Sequence, residues 1–488
     1  MKQKYLISVI VPVYNVRDYL EECLDSVTGQ TLGFENIQLI LVNDGSKDDS
    51  GAICERYSRE YPDNVVYIEQ ENSGVAVARN NGLSRAEGEL VTFLDGDDKW
   101  SADSFKTAWE AYSRDPGIAV FSCKMVFFDA DSGDHQLNYK YEEDRVVDIR
   151  EDYNCPQLSS SSVFIRADIA KKHSFTPGIR YSEDFRYINE ILLESSRMML
   201  LKDPVYWYRR RQSNDSAIQA SVYDRDYYIP TCESVYRYLF DRSLSEYGYV
   251  LRYLQFCVMY DLRWRLKIPF AETGLSEEEQ AAYVELVRGL LRQIDDDIIL
   301  DQKRIALAVQ LFALELKHGE DVSKKYVADD SGAIRYDGRV IFDLSKRAVF
   351  RIEELSLNGE TLSVRGYATI PFHEERFRLL YSLNGSVKEV SLKDTDKNAK
   401  PYLYGTIRFD HAFAIEESVD SSSISDLVFL VEYDSKVFAS RPKFATSGPL
   451  DKKRGSLKSG SCLICRRDHG VTVSRYSALK QLSQLFRI

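Results

Sequence analysis

The first 130 residues alternate between continuous apolar runs and stretches in which apolar residues recur at helical spacing. Continuous apolar runs predict strands that are buried on both faces, as in a parallel sheet covered by helices. The predicted strands are residues 7–13, 37–42, 65–68 and 90–94, and the predicted helices between them include 48–59 and 74–85. This alternation predicts an α/β domain built on a mostly parallel, Rossmann-like sheet.

The pattern changes twice further along the chain. Residues 231–318 have helical spacing, and Ser276-Glu277-Glu278-Glu279 is a capping box that begins one helix. From 338 to 445 the apolar residues alternate with a period of two, and Asn358-Gly359 and Asn384-Gly385 are strong hairpin signals. We therefore predict an α/β domain over 1–230, a helical linker segment over 231–330, an antiparallel β-sandwich over 335–445, and a basic tail with an amphipathic helix over 446–488.

Composition narrows the range of functions. The chain has 488 residues, of which 44% are hydrophobic, and its net charge of −12 argues against nonspecific binding to nucleic acid. The longest apolar runs span about 8 residues, well short of the roughly 20 that a membrane helix needs. The start of the chain imitates a signal peptide, but no small-residue cleavage site follows, so we interpret it as a buried strand. Eight cysteines in so long a chain form no disulfide framework, and we expect a reduced, cytoplasmic protein.

Polar groups follow each predicted strand at its carboxyl end, where open α/β sheets bind their ligands. These segments are Pro12-Val13-Tyr14-Asn15, Asn43-Asp44-Gly45-Ser46, Glu71-Asn72-Ser73-Gly74 and Asp95-Gly96-Asp97-Asp98. The three carboxylates of the last segment repel one another unless a cation lies among them, and their oxygens suit Mg²⁺ or Mn²⁺ bridging to substrate phosphates. The alternative for this segment is a solvated acidic turn.

These four segments, together with Ala78-Arg79-Asn80, resemble the motifs of family 2 glycosyltransferases with the GT-A fold. The resemblance covers residues 7–100 and keeps the family's order and spacing. It implies that Pro12, Tyr14 and Asp44 hold the base and ribose of a nucleotide. It also implies that Asn72 and Arg79 help to close the nucleotide pocket.

The same resemblance assigns the metal and phosphate contacts. Asp95 and Asp97 would form the DXD pair, with Asp97 in direct contact with Mn²⁺ or Mg²⁺, while Asp98 stays open as a ligand or a supporting residue. The segment from Tyr206 to Arg211 matches the part of the family that closes over the donor diphosphate, where a guanidinium can offset the charge of the leaving group. The candidates there are Arg211 and Ser216, and we interpret Arg209 and Arg210 as structural or surface charges.

Ser182-Glu183-Asp184-Phe185 matches the family's motif for the catalytic base. Inverting sugar transfer needs a carboxylate that takes a proton from the acceptor hydroxyl as it attacks the anomeric carbon. We assign this role to Asp184, with Glu183 as a neighbour that shapes the acceptor site. The alternative is a helix N-terminus whose acidic side chains interact favourably with the helix dipole.

Residues 231–445 add a looser resemblance, to wall teichoic acid sugar transferases and to the sugar-transferase half of glycerophosphotransferase proteins. It rests on the helical segment that contains Tyr260-Asp261-Leu262-Arg263-Trp264-Arg265-Leu266 and on the sandwich that follows. The two resemblances imply an inverting, metal-dependent hexosyl- or N-acetylhexosaminyltransferase. Its donor would be a nucleotide sugar, with uridine as the base, and its acceptor a hydroxyl of a polyol phosphate or another cell-surface polysaccharide. The alternative is a catalytically inactive module that binds anionic glycans.

The last part of the chain differs in charge. Residues 452–488 hold nine lysines and arginines and one acid, and Leu479, Leu482 and Leu485 recur at helical spacing. A basic amphipathic helix can lie on an anionic membrane, which would here be the inner face of the plasma membrane. The alternative is that the helix docks on a partner domain. The sandwich could bind polymer, hold a homo-oligomer together or act as a spacer.

Overall fold

The computed structural model describes the chain from residue 5 to residue 475, with gaps. The described residues are 5–211, 221–344, 346–347, 349–369, 376–394, 400–403, 405–407, 410–419, 425–444, 456–459 and 462–475. The chain divides into two compact units. The first comprises Met1–Arg265 with Phe270–Ile305, and the second comprises Leu266–Pro269 with Ala306–Ile488.

Strands and helices alternate in the first unit. Its strands are β1 (Tyr5–Val13), β2 (Ile37–Asp44), β3 (Val65–Gln70), β4 (Gly88–Phe93), β5 (Lys99–Trp100), β6 (Val120–Asp129), β7 (Gly133–Asp134), β8 (Arg145–Asp148), β9 (Val163–Arg166) and β10 (Arg197–Arg210). Its helices are α1 (Arg17–Thr28), α2 (Ser50–Glu60), α3 (Val75–Arg85), α4 (Ser104–Arg114), α5 (Ala167–Ala170), α6 (Glu183–Ser195), α7 (Ile229–Thr231), α8 (Tyr238–Tyr247), α9 (Arg252–Leu266), α10 (Glu277–Arg292) and α11 (Asp296–Leu300). A π-helical turn over Cys232–Arg237 joins α7 to α8.

These ten strands form one sheet, in which eight lie in the order β3-β2-β1-β4-β9-β6-β10-β5, while β7 pairs with β6 and β8 pairs with β10. The first four strands of the chain pair in parallel, as do β6 and β10, whereas β9 runs antiparallel between β4 and β6. The predicted α/β fold with a mostly parallel sheet is therefore confirmed. The register sets Val13 opposite Asn43 and Asp44 opposite Gln70, so the carboxyl ends of the strands meet at one edge.

Both faces of β1 are buried, which explains its unbroken apolar sequence. On one face, Val9 shares a core cluster with Leu20 of α1. On the other face, Ile10 meets α3 at Gly82, where an added Cβ atom would lie 2.4 Å from the Cγ2 atom of Ile10. Glycine therefore lets α3 approach the sheet closely, and this helix carries Arg79.

The helices from α7 to α11 belong to the first unit, whereas the sequence predicts a linker segment over 231–330. Helix α9 is buried around most of its circumference, at Tyr253, Leu254, Gln255, Phe256, Cys257, Val258, Met259, Tyr260, Leu262, Arg263, Arg265 and Leu266. Its Tyr253 hydroxyl accepts a hydrogen bond from the Gln157 N–H at 3.0 Å, which ties it to the segment before β9. A helix buried on most sides forms part of a core, which explains why it packs with the α/β domain.

The second unit is rich in strands. It begins with α12 (Leu307–His318) and continues with β11 (Val327–Ala328), β12 (Ala333–Tyr336), β13 (Arg339–Asp343), β14 (Phe350–Asn358), β15 (Thr361–Thr369), β16 (Phe377–Leu383), β17 (Ser386–Glu389), β18 (Leu392–Asp394), β19 (Lys400–Tyr402), β20 (Gly405–Ile407), β21 (Asp410–Ser418), β22 (Ser425–Tyr433), β23 (Lys436–Ala439), β24 (Lys443–Phe444), β25 (Ser456–Ser459), β26 (Cys462–Arg467) and β27 (Gly470–Arg475). The two larger sheets have the orders β18-β21-β15-β14-β24 and β17-β16-β22-β27-β26-β25. Apart from β14 with β24, the described pairs in them are antiparallel, which confirms the predicted C-terminal fold.

Both predicted hairpins are present. Asn384 and Gly385 join β16 to β17 with φ angles of 50° and 87°, as a type I′ turn requires. Asn358 pairs with Thr361 across the turn between β14 and β15, and Gly359 in that turn has a φ of 64°.

The sheet that contains β22, to which β23 adds a seventh strand, extends beyond residue 445, into the range for which the sequence predicts a basic tail. Strand β27 pairs with β22, with Val473 opposite Ser425. Strand β27 ends at Arg475, and the predicted amphipathic helix with Leu479, Leu482 and Leu485 lies outside the described residues. Among the helices that the structure describes, none is both long and apolar enough to cross a membrane.

Replacing Gly82 with alanine should destabilise the first unit. The added methyl group would overlap Ile10, and overpacking of this kind costs about 1–3 kcal/mol. Gly289 of α10 is the matched control, because its Cβ position is open and Gly→Ala in an exposed helix gains about 0.5–1 kcal/mol. Urea unfolding should thus give shifts of opposite sign for Gly82→Ala and Gly289→Ala. Equal shifts would contradict the close approach of α3 to β1.

Candidate active site

Asp44 ends β2 and holds the loop before α3. Its Oδ1 atom accepts hydrogen bonds from the Ser73 N–H at 2.8 Å and from the Gln70 amide at 2.7 Å. Its Oδ2 atom accepts one from the Gly74 N–H at 2.9 Å. These donors satisfy a carboxylate that is buried, and the loop that they fix carries the exposed Asn72.

The end of β1 is joined to the loop after β2. The Asn15 N–H donates to Ser46 Oγ at 3.2 Å, and the Lys47 N–H donates to Asn15 Oδ1 at 2.8 Å. Pro12 is half-buried, whereas 45% of the surface of Tyr14 is exposed. The structure therefore brings the predicted nucleotide residues of β1 and β2 to the same edge of the sheet.

Arg79 links two of the predicted motifs. Its Nη2 atom donates to Asp95 Oδ1 at 2.9 Å, and its Nη1 atom donates to Glu183 Oε1 at 2.8 Å. Burial alone would lower the pKa of Arg79, but the charges of Asp95 and Glu183 raise it above the usual value for arginine. The sequence predicts that Arg79 helps to close a nucleotide pocket, and the structure shows it joining the DXD segment to the Glu-Asp pair.

The three acidic residues after β4 have different surroundings. Asp98 is buried, and its carboxylate accepts hydrogen bonds from the Tyr206 hydroxyl at 2.7 Å and the Arg209 N–H at 2.7 Å. Burial, together with the charges of Asp97 and Asp95, raises the pKa of Asp98 well above the usual aspartate range. Since both of its oxygens are bonded to β10, Asp98 supports the strand rather than facing a ligand.

Asp95 and Asp97 are the more accessible pair, with 32% and 21% of their side chains exposed. Asp95 Oδ2 accepts a hydrogen bond from Ser161 Oγ at 3.2 Å, and both bonds from Arg211 fall on Asp97 Oδ2. In the part of the chain that the structure describes, no group of three or more His, Cys, Asp or Glu side chains could hold a metal ion. If Mn²⁺ or Mg²⁺ binds at this edge, Asp95 and Asp97 would supply one or two carboxylates, and substrate phosphates would complete its ligands.

The arginines at the end of β10 differ in their partners. Arg209 donates to the Asp97 carbonyl oxygen at 2.8 Å and pairs with Asp129 at 3.0 Å and with Glu22. Arg211 donates to Asp97 Oδ2 from Nε at 2.9 Å and from Nη2 at 2.6 Å. Of these two arginines, Arg211 pairs with the Asp97 carboxylate, while Ser216 lies outside the described residues.

Glu183 and Asp184 begin α6, directly after a residue in an unusual conformation. Ser182 has φ 61° and ψ 26°, in the left-handed region. Asp184 Oδ1 accepts a hydrogen bond from the Phe185 N–H at 2.8 Å. Burial and the neighbouring charge of Glu183 raise the pKa of Asp184 to about 7, against the opposing effect of Arg79. A carboxyl that titrates near neutral pH is suited to general-base chemistry.

Helix α9 and the π-helical turn before α8 hold Ser182 in place. Asp261 Oδ2 accepts hydrogen bonds from Ser182 Oγ at 3.2 Å, from the Tyr236 hydroxyl at 2.6 Å and from Arg265 Nη1 at 3.2 Å. The sequence does not predict this role for Asp261. Its spacing of four residues from Arg265 in a predicted helix was the available signal, but only the fold shows that the pair faces the start of α6.

Replacing Asp184 with asparagine should stabilise the fold at alkaline pH. The raised pKa of Asp184 means that the native protein loses stability as the pH rises from about 4, where an unfolded aspartate ionises, to about 7. Asparagine does not ionise, so the gain in Tm of Asp184→Asn over the wild type should be larger at about pH 8 than at about pH 5. The exposed Asp203→Asn serves as the control and should show no such trend. A gain that is the same at both pH values would show that Asp184 is not held in this environment.

Two curated relatives come from Bacillus subtilis strain 168. The chain is 32% identical over 404 residues to the minor teichoic acid biosynthesis protein GgaB, which covers 82% of this chain and 45% of that protein. It is 31% identical over 305 residues to the minor teichoic acid biosynthesis protein GgaA, which covers 61% of this chain and 68% of that protein. The chain thus spans less than half the length of GgaB and about two thirds of GgaA.

The fold is similar to that of Staphylococcus aureus TarS, with a TM-score of 0.55 and 16% identity over 97% of this chain and 86% of that chain. TarS 1-349 in complex with UDP-GlcNAc gives a TM-score of 0.51 and 19% identity over 68% of this chain and 97% of that chain. In sequence, residues 8–173 match the family model described as glycosyl transferase family 2. This match and the identity to GgaA agree with the motifs at the strand ends, and the chain belongs to glycosyl transferase family 2.

Proposed function

We propose that this chain transfers a hexose or N-acetylhexosamine from UDP to a hydroxyl group of a polyol-phosphate polymer, with inversion at the anomeric carbon. The observation that carries the proposal is the pairing of Arg79 with both Asp95 and Glu183. It holds the DXD segment and the Glu-Asp pair beside one guanidinium, so donor activation and proton removal share one site. The names of GgaB and GgaA support an acceptor of the teichoic acid class, and the TarS complex supports a UDP-sugar donor.

Asp184 is the base in this proposal. Glu183 is paired with Arg79, which leaves Asp184 as the carboxylate that takes the acceptor proton. The pKa of Asp184 is about 7, so a large fraction is ionised at neutral pH and can remove a proton from a hydroxyl group. The deprotonated acceptor oxygen then attacks the anomeric carbon as the bond from that carbon to the UDP oxygen breaks.

The acidic pair and Arg211 serve the donor. Asp97, with Asp95, would hold Mn²⁺ or Mg²⁺, and the bound cation would neutralise the diphosphate of the donor. Arg211 contributes a guanidinium beside Asp97 that offsets the negative charge of the departing UDP. Arg209 fixes the backbone of this segment through the Asp97 carbonyl oxygen.

The proposed location is the cytoplasm. The six cysteines whose side chains the structure describes are all buried free thiols, which fits a reducing compartment. A catalytically inactive module that binds anionic glycans is the competing function. The arrangement of Asp95, Asp97, Glu183 and Asp184 argues against it, because a binding module would not require a carboxyl group that titrates near neutral pH.

The wild-type protein, incubated with UDP-hexoses and UDP-N-acetylhexosamines and Mn²⁺, should release UDP, and Asp97→Asn should release far less. Loss of the charge that faces the metal should cost about 3–4 kcal/mol of transition-state stabilisation, or on the order of 10²–10³ in rate. Asp203→Asn should behave as the wild type, because it is exposed. UDP release by Asp97→Asn at the wild-type rate would remove the metal assignment. No release by the wild type with any donor, alongside tight binding of polymer, would favour the inactive module.

Ser182 should position the base without taking part in the chemistry. Ser182→Ala and Ser182→Gly both remove the bond to Asp261, so both should lower kcat about 10-fold while KM for the donor stays within about twofold. Only alanine retains the cost of a left-handed backbone, so the glycine variant should be more stable by roughly 1–2 kcal/mol. Steady-state kinetics and urea unfolding measure the two effects. Full kcat in Ser182→Gly would show that relief of backbone strain suffices and that the bond to Asp261 does not position the base.

A further inference from the structure

A cavity of about 480 Å³ lies in the first unit, apart from the residues of the candidate active site. It is lined by Tyr139, Lys140, Glu142, Glu143, Arg145, Asn154, Cys155, Lys303 and Arg304. The lining comes from the segment after β7, from β8 and the loop that follows it, and from the loop after α11. None of these residues belongs to the motifs of the family.

The charge of the lining is mainly positive. Four of its side chains are cationic, and the two acidic ones, Glu142 and Glu143, are exposed, so water and salt screen them. Lys303 and Arg304, in the loop after α11, are both exposed. Arg145 pairs with Asp152 at 3.6 Å and donates to Cys155 Sγ at 2.9 Å.

Lys140 is the buried member of this group. Its ammonium group donates to the Pro156 carbonyl oxygen and to Gln157 Oε1, and in the described part of the chain no carboxylate pairs with it. Burial lowers the pKa of Lys140 to about 8. A buried charge is costly unless a countercharge lies near it, so the side chain would gain from an anion in the cavity.

The loop after β8 leads from the cavity to the DXD segment. Ser161, whose Oγ donates to Asp95 Oδ2 at 3.2 Å, lies six positions after Cys155 in the cavity wall. An extended chain spans at most about 3.6 Å per residue, so the Cα atoms of Cys155 and Ser161 are within about 22 Å of each other. A polymer with several repeating units can cover such a distance.

We propose that this cavity is a phosphate-binding site formed by Lys140, Arg145, Lys303 and Arg304, which takes a phosphodiester of the acceptor polymer. The identification of the ligand as the acceptor polymer rests on the proposed function, whereas phosphate binding at this cavity does not. Because the phosphates of a polyol-phosphate chain repeat at regular intervals, one phosphate held here would keep a distant hydroxyl of the same chain near Asp184. The site would therefore favour long acceptors over short ones.

The first test measures binding without catalysis. The probes are inorganic phosphate and glycerol 3-phosphate, added to the full-length protein at matched ionic strength against chloride. Both should raise the Tm of the wild type, as ligands that bind the native state do. In the double variant Lys303→Gln, Arg304→Gln the Kd for both probes should rise at least about fivefold, because two of the four cations are lost. The matched control is Lys106→Gln, an exposed lysine of α4 outside the cavity, which should bind as the wild type does. Equal affinity in the wild type and the double variant would overturn the site.

The second test identifies the source of the phosphate. With a polyol-phosphate oligomer as acceptor, the double variant should show a KM for the acceptor at least about fivefold higher, while UDP release without acceptor stays at the wild-type rate. A polyol acceptor without phosphate should show no difference between the two proteins. If the KM for the oligomer were unchanged despite weaker binding of inorganic phosphate, the site would not bind the acceptor polymer. Free phosphate would then be its ligand. If the wild type released no UDP with any donor, the proposed function would fail, and the binding test would still decide on the site.

Discussion

The buried guanidinium of Arg79 is the interaction on which the candidate site depends. A buried cation is costly without partners, and Arg79 has two carboxylates, from Asp95 after β4 and from Glu183 at the start of α6. These two elements are far apart in the chain, so the ion pairs fix their relative position. Arg79 lies on α3, and this helix is held close to β1 at Gly82, where an added Cβ atom would overlap Ile10. The helix that carries the central charge of the site is thus packed tightly against the core of the sheet.

The same charges explain why one carboxyl group of the site titrates near neutral pH. Burial and the charge of Glu183 raise the pKa of Asp184, and the charge of Arg79 limits this rise. Glu183 shares Arg79 with Asp95, so a single positive charge serves three acidic residues. Charge neutrality at this edge is incomplete without a further cation, which fits the proposed binding of Mn²⁺ or Mg²⁺ beside Asp97. Asp98 is not part of this balance, because Tyr206 and the Arg209 N–H occupy its carboxylate.

The fold and the motifs could be predicted from the sequence, but the contacts that join one motif to another could not. Continuous apolar runs predict β1 to β4, because strands covered on both faces have little choice of side chain, and Asn384-Gly385 predicts a hairpin because its turn needs two positive φ angles. The pairing of Arg79 with Glu183 has no local signal, since it joins residues that are distant in the chain. Helix α9 was predicted as part of a linker, because a helix buried on most sides shows no amphipathic pattern that would reveal its partners. Strands β25 to β27 were not predicted, because the many basic residues around them led to the prediction of a basic tail.

In the proposed function, donor and acceptor recognition would come from different parts of the first unit. The residues proposed to contact the donor follow β1, β2 and β4 or end β10, and such strand ends bind ligands in open α/β sheets generally. The region from α7 to α11 adds contacts that this sheet does not supply. Asp261 on α9 holds Ser182 ahead of Asp184, the proposed base, and the loop after α11 places Lys303 and Arg304 in the wall of the cavity. If the acceptor is a polyol phosphate, this helical region would both position the group that deprotonates it and provide the charges that hold it. A change of acceptor could then arise in these helices while the donor motifs of the sheet remained as they are.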